Sequence, residues 1–393
     1  MQDAYVVDAV RTPLGKRNGS FRDTHPQDLA AKPLRELEAR NGFDGSETVE
    51  DVIYGCVTPV GEQGSNIGRI APMVAGWGDS VPGVQLNRMC GSGQQAANFA
   101  AGQIRGGMHD VLVAGGVEHM TRVPMASDTA SPEHSYADPE NVTETYFEYF
   151  DELTTQGEGA ERIADQWGFD RADVDEIAVD SQTRWGEAAE AGKYDDQVVS
   201  VETTVGGEPV TIERDEHPRP ETDAETLRDL PLVFREEGEG VVHAGNASGI
   251  VDGASALLVA SESACETRGW DPMVRIVDTH VVGVDPKTML TGPIPATREI
   301  LDDNDLSVGD IDRFEVNEAF ASVVLAWLAE TGADWERTNV WGGAIAHGHP
   351  LGATGSVLLG KLAAQLEDCR GRYGLCTMCI GFGQGIATLV ERV

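Results

Sequence analysis

An α/β protein built from two similar halves is what the sequence predicts, on three observations. Short apolar runs alternate with small-residue helical patterns over the first 120 or so residues. The same rhythm returns beyond about residue 250. In both stretches a glycine-containing turn, a small-residue helix and a buried strand follow one another: CGSGQQAANFAAGQI then DVLVAGG, and HPLGATGSVLLGKLAAQL then GLCTMCIGFG. Such alternation marks βαβ units around a largely parallel, buried sheet.

The elements read in order. AYVVDAV is a strand, QDLAAKPLRELEAR a helix, VEDVIYGCV a strand, QQAANFAAGQIRGG a helix and DVLVAGGVE a strand. From about 121 to 245 the rhythm gives way to polar turns (ASPEHSYADPENVTET), helical stretches (GAERIADQW, DEIAVDSQTRWGEAAEAG) and the acidic ERDEHPRPETDAET, so this region reads as an insertion. After HAGNASGIVDGASALLVAS come MVRIVDTHVVG, PIPATREILDDN, DIDRFEVNEAFASVVLAWLAE, GATGSVLLGKLAAQLE and GLCTMCIGFGQGIATLVE. The expected division is a first half over 1–120, completed by about 246–270, an insertion over 121–245, and a second half over 271–393. Duplication predicts that the two small-residue helices start near one pseudo-twofold axis.

Composition bounds the function. The 393 residues, 40% hydrophobic with 46 glycines, suit a folded chain with a large core and exclude disorder. Against 66 Asp and Glu stand 29 Lys and Arg, a net charge of −37, which repels nucleic acid and anionic membranes. The acids are dispersed, as in REEGEG and LDDND, a pattern expected of a halophile's cytoplasm where counterions screen self-repulsion. No apolar run is long enough for a membrane span, and the start lacks the layout of a signal peptide, so a cytoplasmic protein is expected. Six unevenly spaced cysteines suit free thiols better than a disulfide framework.

Four clusters carry candidate chemistry. Cys90, in NRMCGSGQQA, is expected just before a helix running from about Gly91 to Ile104, where free N–H groups and the helix dipole would lower the thiol pKa. The alternative is a small buried hydrophobe. In GGAIAHGHPLGATG, His347 and His349 offer a general base, a metal-ligand pair, or a surface loop. Cys376 and Cys379 have C-x-x-C spacing, but on a strand residues three apart point to opposite faces, which favours a single functional Cys379 over a zinc or redox pair. Asn317, in EVNEAFA, ends a strand and either lines a crevice or caps a helix. A nucleotide reading of CGSGQQA, with Asp110 as the acid, is weak because the turn lies outside the first βαβ unit.

Taken together these clusters resemble the thiolase family, over nearly the whole chain. RTPLGKRNGSFRD, NRMCGSGQQA, AGGVEHMTRVPM, HAGNASGIVDGAS, VNEAFA, GGAIAHGHPLGATG and CIGFGQG stand in thiolase order. The resemblance implies two βαβαβαββ halves in five layers (αβαβα) with an inserted loop domain that binds CoA. It implies ping-pong thiolysis of 3-ketoacyl-CoA, or acetoacetyl-CoA formation, with coenzyme A as substrate and no metal or prosthetic group. Cys90 is then the nucleophile, His349 its activator and Cys379 the acid/base. One oxyanion hole is formed by His349 and a water held by Asn317, the other by the N–H groups of Cys90 and Gly381. Ser248, in GNASG, contacts the pantetheine arm and Arg219 the adenine end. A homodimer or homotetramer is expected, without nucleic acid or membrane.

Departures from the family pattern fall at Gln156, at the place matching a Met-Gly segment of biosynthetic members, at His347, where an aliphatic residue or tyrosine is common, and at Phe382, where glycine is common. Gln156 and CGSGQQA sit closer to degradative, longer-chain members. The remaining alternatives are a non-degradative sterol-carrier-type thiolase and, from another class, a zinc or redox module using Cys369, Cys376 and Cys379.

Overall fold

The computed structural model describes residues 2–129, 142–236 and 238–393. The polar turns expected over ASPEHSYADPEN lie outside them. The first half runs β1 (Ala4–Arg11), the two-residue β2 (Gly15–Lys16), α1 (Pro26–Asn41), α2 (Gly45–Thr48), β3 (Asp51–Gly55), α3 (Ile67–Ala75), β4 (Gly83–Leu86), α4 (Ser92–Arg105) and β5 (Val111–His119). Next come α5 (Glu144–Tyr149), α6 (Gln156–Trp167), α7 (Arg171–Glu190), the hairpin β6 (Val201–Val205) and β7 (Glu208–Ile212), and α8 (Ala224–Arg228). The chain rejoins the main sheet with β8 (Val251–Ser261), followed by α9 (Glu262–Arg268). The second half runs β9 (Val274–Gly283), α10 (Pro293–Asp303), β10 (Arg313–Val316), α11 (Ala321–Thr331), α12 (Ala344–His347), α13 (Leu351–Cys369), β11 (Tyr373–Ile380) and β12 (Gln384–Arg392).

The strand order shows the duplication. In the first half it is β4-β3-β5-β8-β1, with β4, β3 and β5 parallel and β8 antiparallel to both β5 and β1. In the second it is β10-β11-β12-β9, with β10 and β11 parallel and β12 antiparallel to both β11 and β9. The counterpart of β4 has shrunk to a single parallel bridge between Thr338 and Phe314. β1 meets β9 through Tyr5 against Arg275 and Val6 against Val274, which joins both halves into one continuous sheet.

Between the halves lie α4 and α13, packed on each other and on strands of both. α1 and α3 cover the outer face of the first half, and α10 and α11 that of the second, completing five layers. The central pair is built from small residues because the backbones nearly touch. A Cβ at Gly355 would stand 2.1 Å from the Gln94 nitrogen, and one at Gly93 would stand 2.9 Å from the Gly352 oxygen. The small-residue pattern common to both helices is therefore a close-packing requirement. It places the start of each helix, and the residue before it, beside the other half.

Between β5 and β8, which pair directly, the described chain adds no strand to the main sheet. α6, α7 and α8 pack beside the second half, sharing a core with α10 and α11 through Ile163, Val174, Ile177 and Leu227. Asp110 sits at the far end of β5, where its carboxylate accepts from Ser261 Oγ at 2.7 Å. It serves a structural cap there, and the nucleotide reading falls.

Candidate active site

Cys90 occupies the turn from β4 into α4. The turn is held by its own polar groups: Asn87 Oδ1 accepts from the Met89 N–H at 2.7 Å, and Ser92 Oγ accepts from the Arg88 N–H and donates to the Met89 carbonyl. Met89 has φ +45°, a left-handed conformation that a side chain rarely adopts, so the turn is strained and Cys90 is thrown to its tip. Helix α4 starts at Ser92 with Gly91 as its cap, one residue later than expected. The thiol is buried, and facing its sulfur are the Gln156 side chain and the N–H groups of Cys90 itself and Gly381.

The expected lowering of the Cys90 pKa is corrected by the structure. Burial pushes the thiol up to about 11, outweighing the three hydrogen-bond donors, with the Glu118 charge adding to the rise. Desolvating a thiolate costs more here than the helix start and donors return.

His349 follows a sharp reversal at Gly348, which has φ +92°. Its Nδ1 lies 2.6 Å from Thr354 Oγ1, and the Thr354 hydroxyl donates to the Pro350 carbonyl at 2.9 Å. With its one hydrogen so committed, Thr354 accepts from Nδ1–H, which leaves Nε2 as the ring's acceptor. Asn317 Nδ2 lies 3.4 Å from Nε2. Burial lowers the His349 pKa to about 4, so the ring is a neutral base across the physiological range.

Asn317 lies just past β10, its N–H donating to the Thr377 carbonyl of β11. It does not cap a helix: α11 begins at Ala321, with Phe320 at the cap. Its buried Oδ1 has no hydrogen-bond partner within the protein. Cys379 is buried near the end of β11, and the Cys90 and Cys379 sulfurs are near enough for the charge of one to raise the pKa of the other, although burial is the larger cause for Cys379. Gly381 and Phe382 follow, Phe382 at φ +60° and Gly383 at φ +73°. Cys376 lines the central core and Cys379 the outer core of the second half, so the C-x-x-C sulfurs are separated by the sheet. All six cysteines are free, and among the described residues no three His, Cys, Asp or Glu side chains gather as a metal-binding group.

A cavity of about 560 Å³ opens beside this centre. Its wall includes the buried His349, the half-buried Gln156 and Ser248, and the exposed Phe234, Lys16, Arg17 and Arg219. Three cations in one cavity wall are conspicuous in a chain with 29 in all. They suit a long ligand with an anionic end. No helix among the described residues is long and apolar enough to cross a membrane.

The structure thus gathers Cys90, Cys379 and Gly381 at one point, Asn317 and His349 at a second, and Ser248 and Arg219 along the cavity. Sequence reasoning passed over three contributors. Thr354 orients His349. Gln156, noted only as a departure, faces the Cys90 sulfur. Glu118, fully buried, accepts from the N–H groups of Val57, Thr58 and Gly352 and so fastens the start of α13 to the first half. Lys16 carried a usable signal, being one of only five lysines.

Family models agree with this architecture. Residues 4–263 match the thiolase N-terminal domain and residues 270–392 the thiolase C-terminal domain. A steroid 3-ketoacyl-CoA thiolase of Mycobacterium tuberculosis is 44% identical over 396 residues, covering 100% of this chain and 95% of that protein. A 3-oxoadipyl-CoA/3-oxo-5,6-dehydrosuberyl-CoA thiolase of Escherichia coli K12 is 43% identical over 403 residues, covering 100% of both. The crystal structure of the Bacillus anthracis acetyl-CoA acetyltransferase superposes with a TM-score of 0.90 at 36% identity, covering 100% of this chain and 99% of the other.

Proposed function

The chain belongs to the thiolase family, and on that premise we propose that it catalyses reversible, CoA-dependent cleavage of a 3-ketoacyl-CoA to acetyl-CoA and a shortened acyl-CoA. It is an enzyme of acyl transfer. The observation that carries the reading is a buried neutral imidazole, His349, beside the buried Asn317 amide, in the wall of a cavity that also carries Gln156, which faces the buried Cys90 thiol, and three exposed cations.

The chemistry proposed assigns a role to each group. His349 Nε2 takes the Cys90 proton as Sγ attacks the 3-keto carbon, so a thiol that is neutral at rest becomes a nucleophile only when its acceptor is in place. The oxygen left with negative charge is met by the N–H groups of Cys90 and Gly381. Collapse breaks the C2–C3 bond and leaves the shortened acyl group on Sγ. The departing acetyl-CoA enolate directs its oxygen to His349 and a water held by Asn317, and receives a proton at C2 from Cys379. Cys379 then takes the thiol proton of an incoming CoA, whose sulfur attacks the acyl-enzyme. The Cys90 thiolate leaves and recovers its proton from His349. Condensation of two acetyl groups is the same path reversed.

Ser248 supports the pantetheine arm, and Lys16, Arg17 and Arg219 supply the charge that the CoA phosphates require on an otherwise anionic protein. The dispersed acidity supports a protein adapted to high salt. β4, at the sheet margin with Val84 exposed, supports assembly into at least a dimer. By their names the relatives handle steroid and dicarboxylic acyl chains, so a 3-ketoacyl group larger than acetoacetyl belongs in the substrate set. Thiolysis assayed with acetoacetyl-, 3-ketohexanoyl- and 3-oxoadipyl-CoA tests the reading. CoA-dependent cleavage of at least one, abolished in Cys90→Ala, is expected; folded protein that cleaves none refutes it.

A further inference from the structure

Behind His349 lies a buried group of charges that the mechanism does not use. Lys361, on α13, is 1% exposed, and its Nζ contacts three groups at once: the Gly342 carbonyl at 2.5 Å, Glu315 Oε2 at 3.0 Å and His347 Nε2 at 3.5 Å. Glu315 is fully buried on β10, where its other oxygen accepts from Gln365 Nε2 at 2.7 Å. His347 Nδ1 lies 2.8 Å from the Gly348 carbonyl.

Geometry fixes the protons. The Gly348 carbonyl can only accept, so His347 Nδ1 carries hydrogen and Nε2 faces Lys361 as an acceptor. Burial first, and then the Lys361 charge, hold the His347 pKa well below its ordinary value, in keeping with a neutral ring. Glu315 stands two residues before Asn317, and His347 two before His349. One Nζ therefore ties the strand that delivers Asn317 to the loop that delivers His349, and the His347 ring grips the Gly348 peptide at the left-handed reversal between them.

We propose that Lys361 and His347 are positioning residues, which together set the 3.4 Å separation of Asn317 Nδ2 and His349 Nε2. The inference rests on the roles proposed above for Asn317 and His349. A buried ion pair contributes little net stability, and small displacements at a reacting centre are costly in rate. The signature is therefore in turnover and not in binding, since none of the three side chains lines the CoA cavity.

The test uses His347→Leu, His347→Gln and the double variant Lys361→Met/Glu315→Gln, which removes both buried charges together. Folding is followed by thermal midpoint, and kcat and the KM for CoA by thiolysis. His347→Leu is expected to lower kcat about tenfold with KM within about twofold, and His347→Gln, which keeps an acceptor and a donor, to recover most of the loss. The double variant is expected to keep its thermal midpoint and still lose kcat. A folded His347→Leu with unchanged kcat overturns the proposal, as does a double variant with full turnover, which would reduce the cluster to charge neutralisation. Wild-type protein without thiolase activity would instead undo the underlying reading.

Discussion

The His349 imidazole is aimed by Thr354: Nδ1 sits 2.6 Å from a hydroxyl whose own hydrogen is given to the Pro350 carbonyl. Thr354→Val keeps the side-chain shape and removes the acceptor, freeing the ring to turn or to shift its proton to Nε2. A drop in kcat of about 5- to 20-fold is expected, on the order of 1–2 kcal/mol. Thr354→Ser stays near wild type. Steady-state thiolysis decides; an unchanged Thr354→Val means the tautomer is held otherwise.

The pH dependence of Cys90 alkylation reports on His349 as the proposed acceptor of the Cys90 proton. Imidazole with a pKa near 4 accepts a proton at every pH above that, and a thiol with a pKa near 11 supplies almost no free thiolate at neutrality. Reaction with iodoacetamide is therefore expected to be flat from about pH 5.5 to 9, falling only as His349 protonates near 4. In His349→Ala, alkylation rises about tenfold per pH unit toward 11. A wild-type step near pH 6.5 contradicts this, because it would require an unshifted imidazole.

Packing of α4 on α13 makes a stability prediction. At Gly355 an added Cβ meets the Gln94 backbone nitrogen at 2.1 Å, and backbone cannot step aside cheaply. Gly355→Ala is expected to cost at least about 3 kcal/mol, the upper range for overpacking, whereas Gly102→Ala on α4, with nothing within 4 Å, is neutral or stabilising. Denaturant melts compare the two.

In the cavity wall, Arg219→Glu reverses one of three cations. The KM for CoA is expected to rise about tenfold or more at low salt, with kcat within about twofold and the effect shrinking in molar KCl as charges are screened. Equal loss in both constants places Arg219 elsewhere in the reaction.

How much of this was legible in the sequence depended on whether a feature is local. Helices α4 and α13 announce themselves because glycine and alanine recur wherever backbones touch, and strand parity alone predicts that Cys376 and Cys379 face opposite sides of the sheet, as they do. The strained Met89 turn, the Thr354 contact and the shrunken bridge at Thr338 leave no local pattern, since each depends on what the other half brings alongside. The Cys90 pKa went astray for the same reason. A helix start is visible in sequence, but the burial that outweighs it depends on a core that Cys90 shares with Leu351, Ile380 and Ile386 of the second half.

The most direct test is mass spectrometry of the Cys90 peptide after the protein, held in molar KCl, is mixed with acetoacetyl-CoA in the absence of free CoA. One acetyl group on Cys90, absent in Cys90→Ala and discharged on adding CoA, is the predicted result. Folded wild-type protein carrying no acyl group on Cys90, or carrying it on Cys379, would contradict the account.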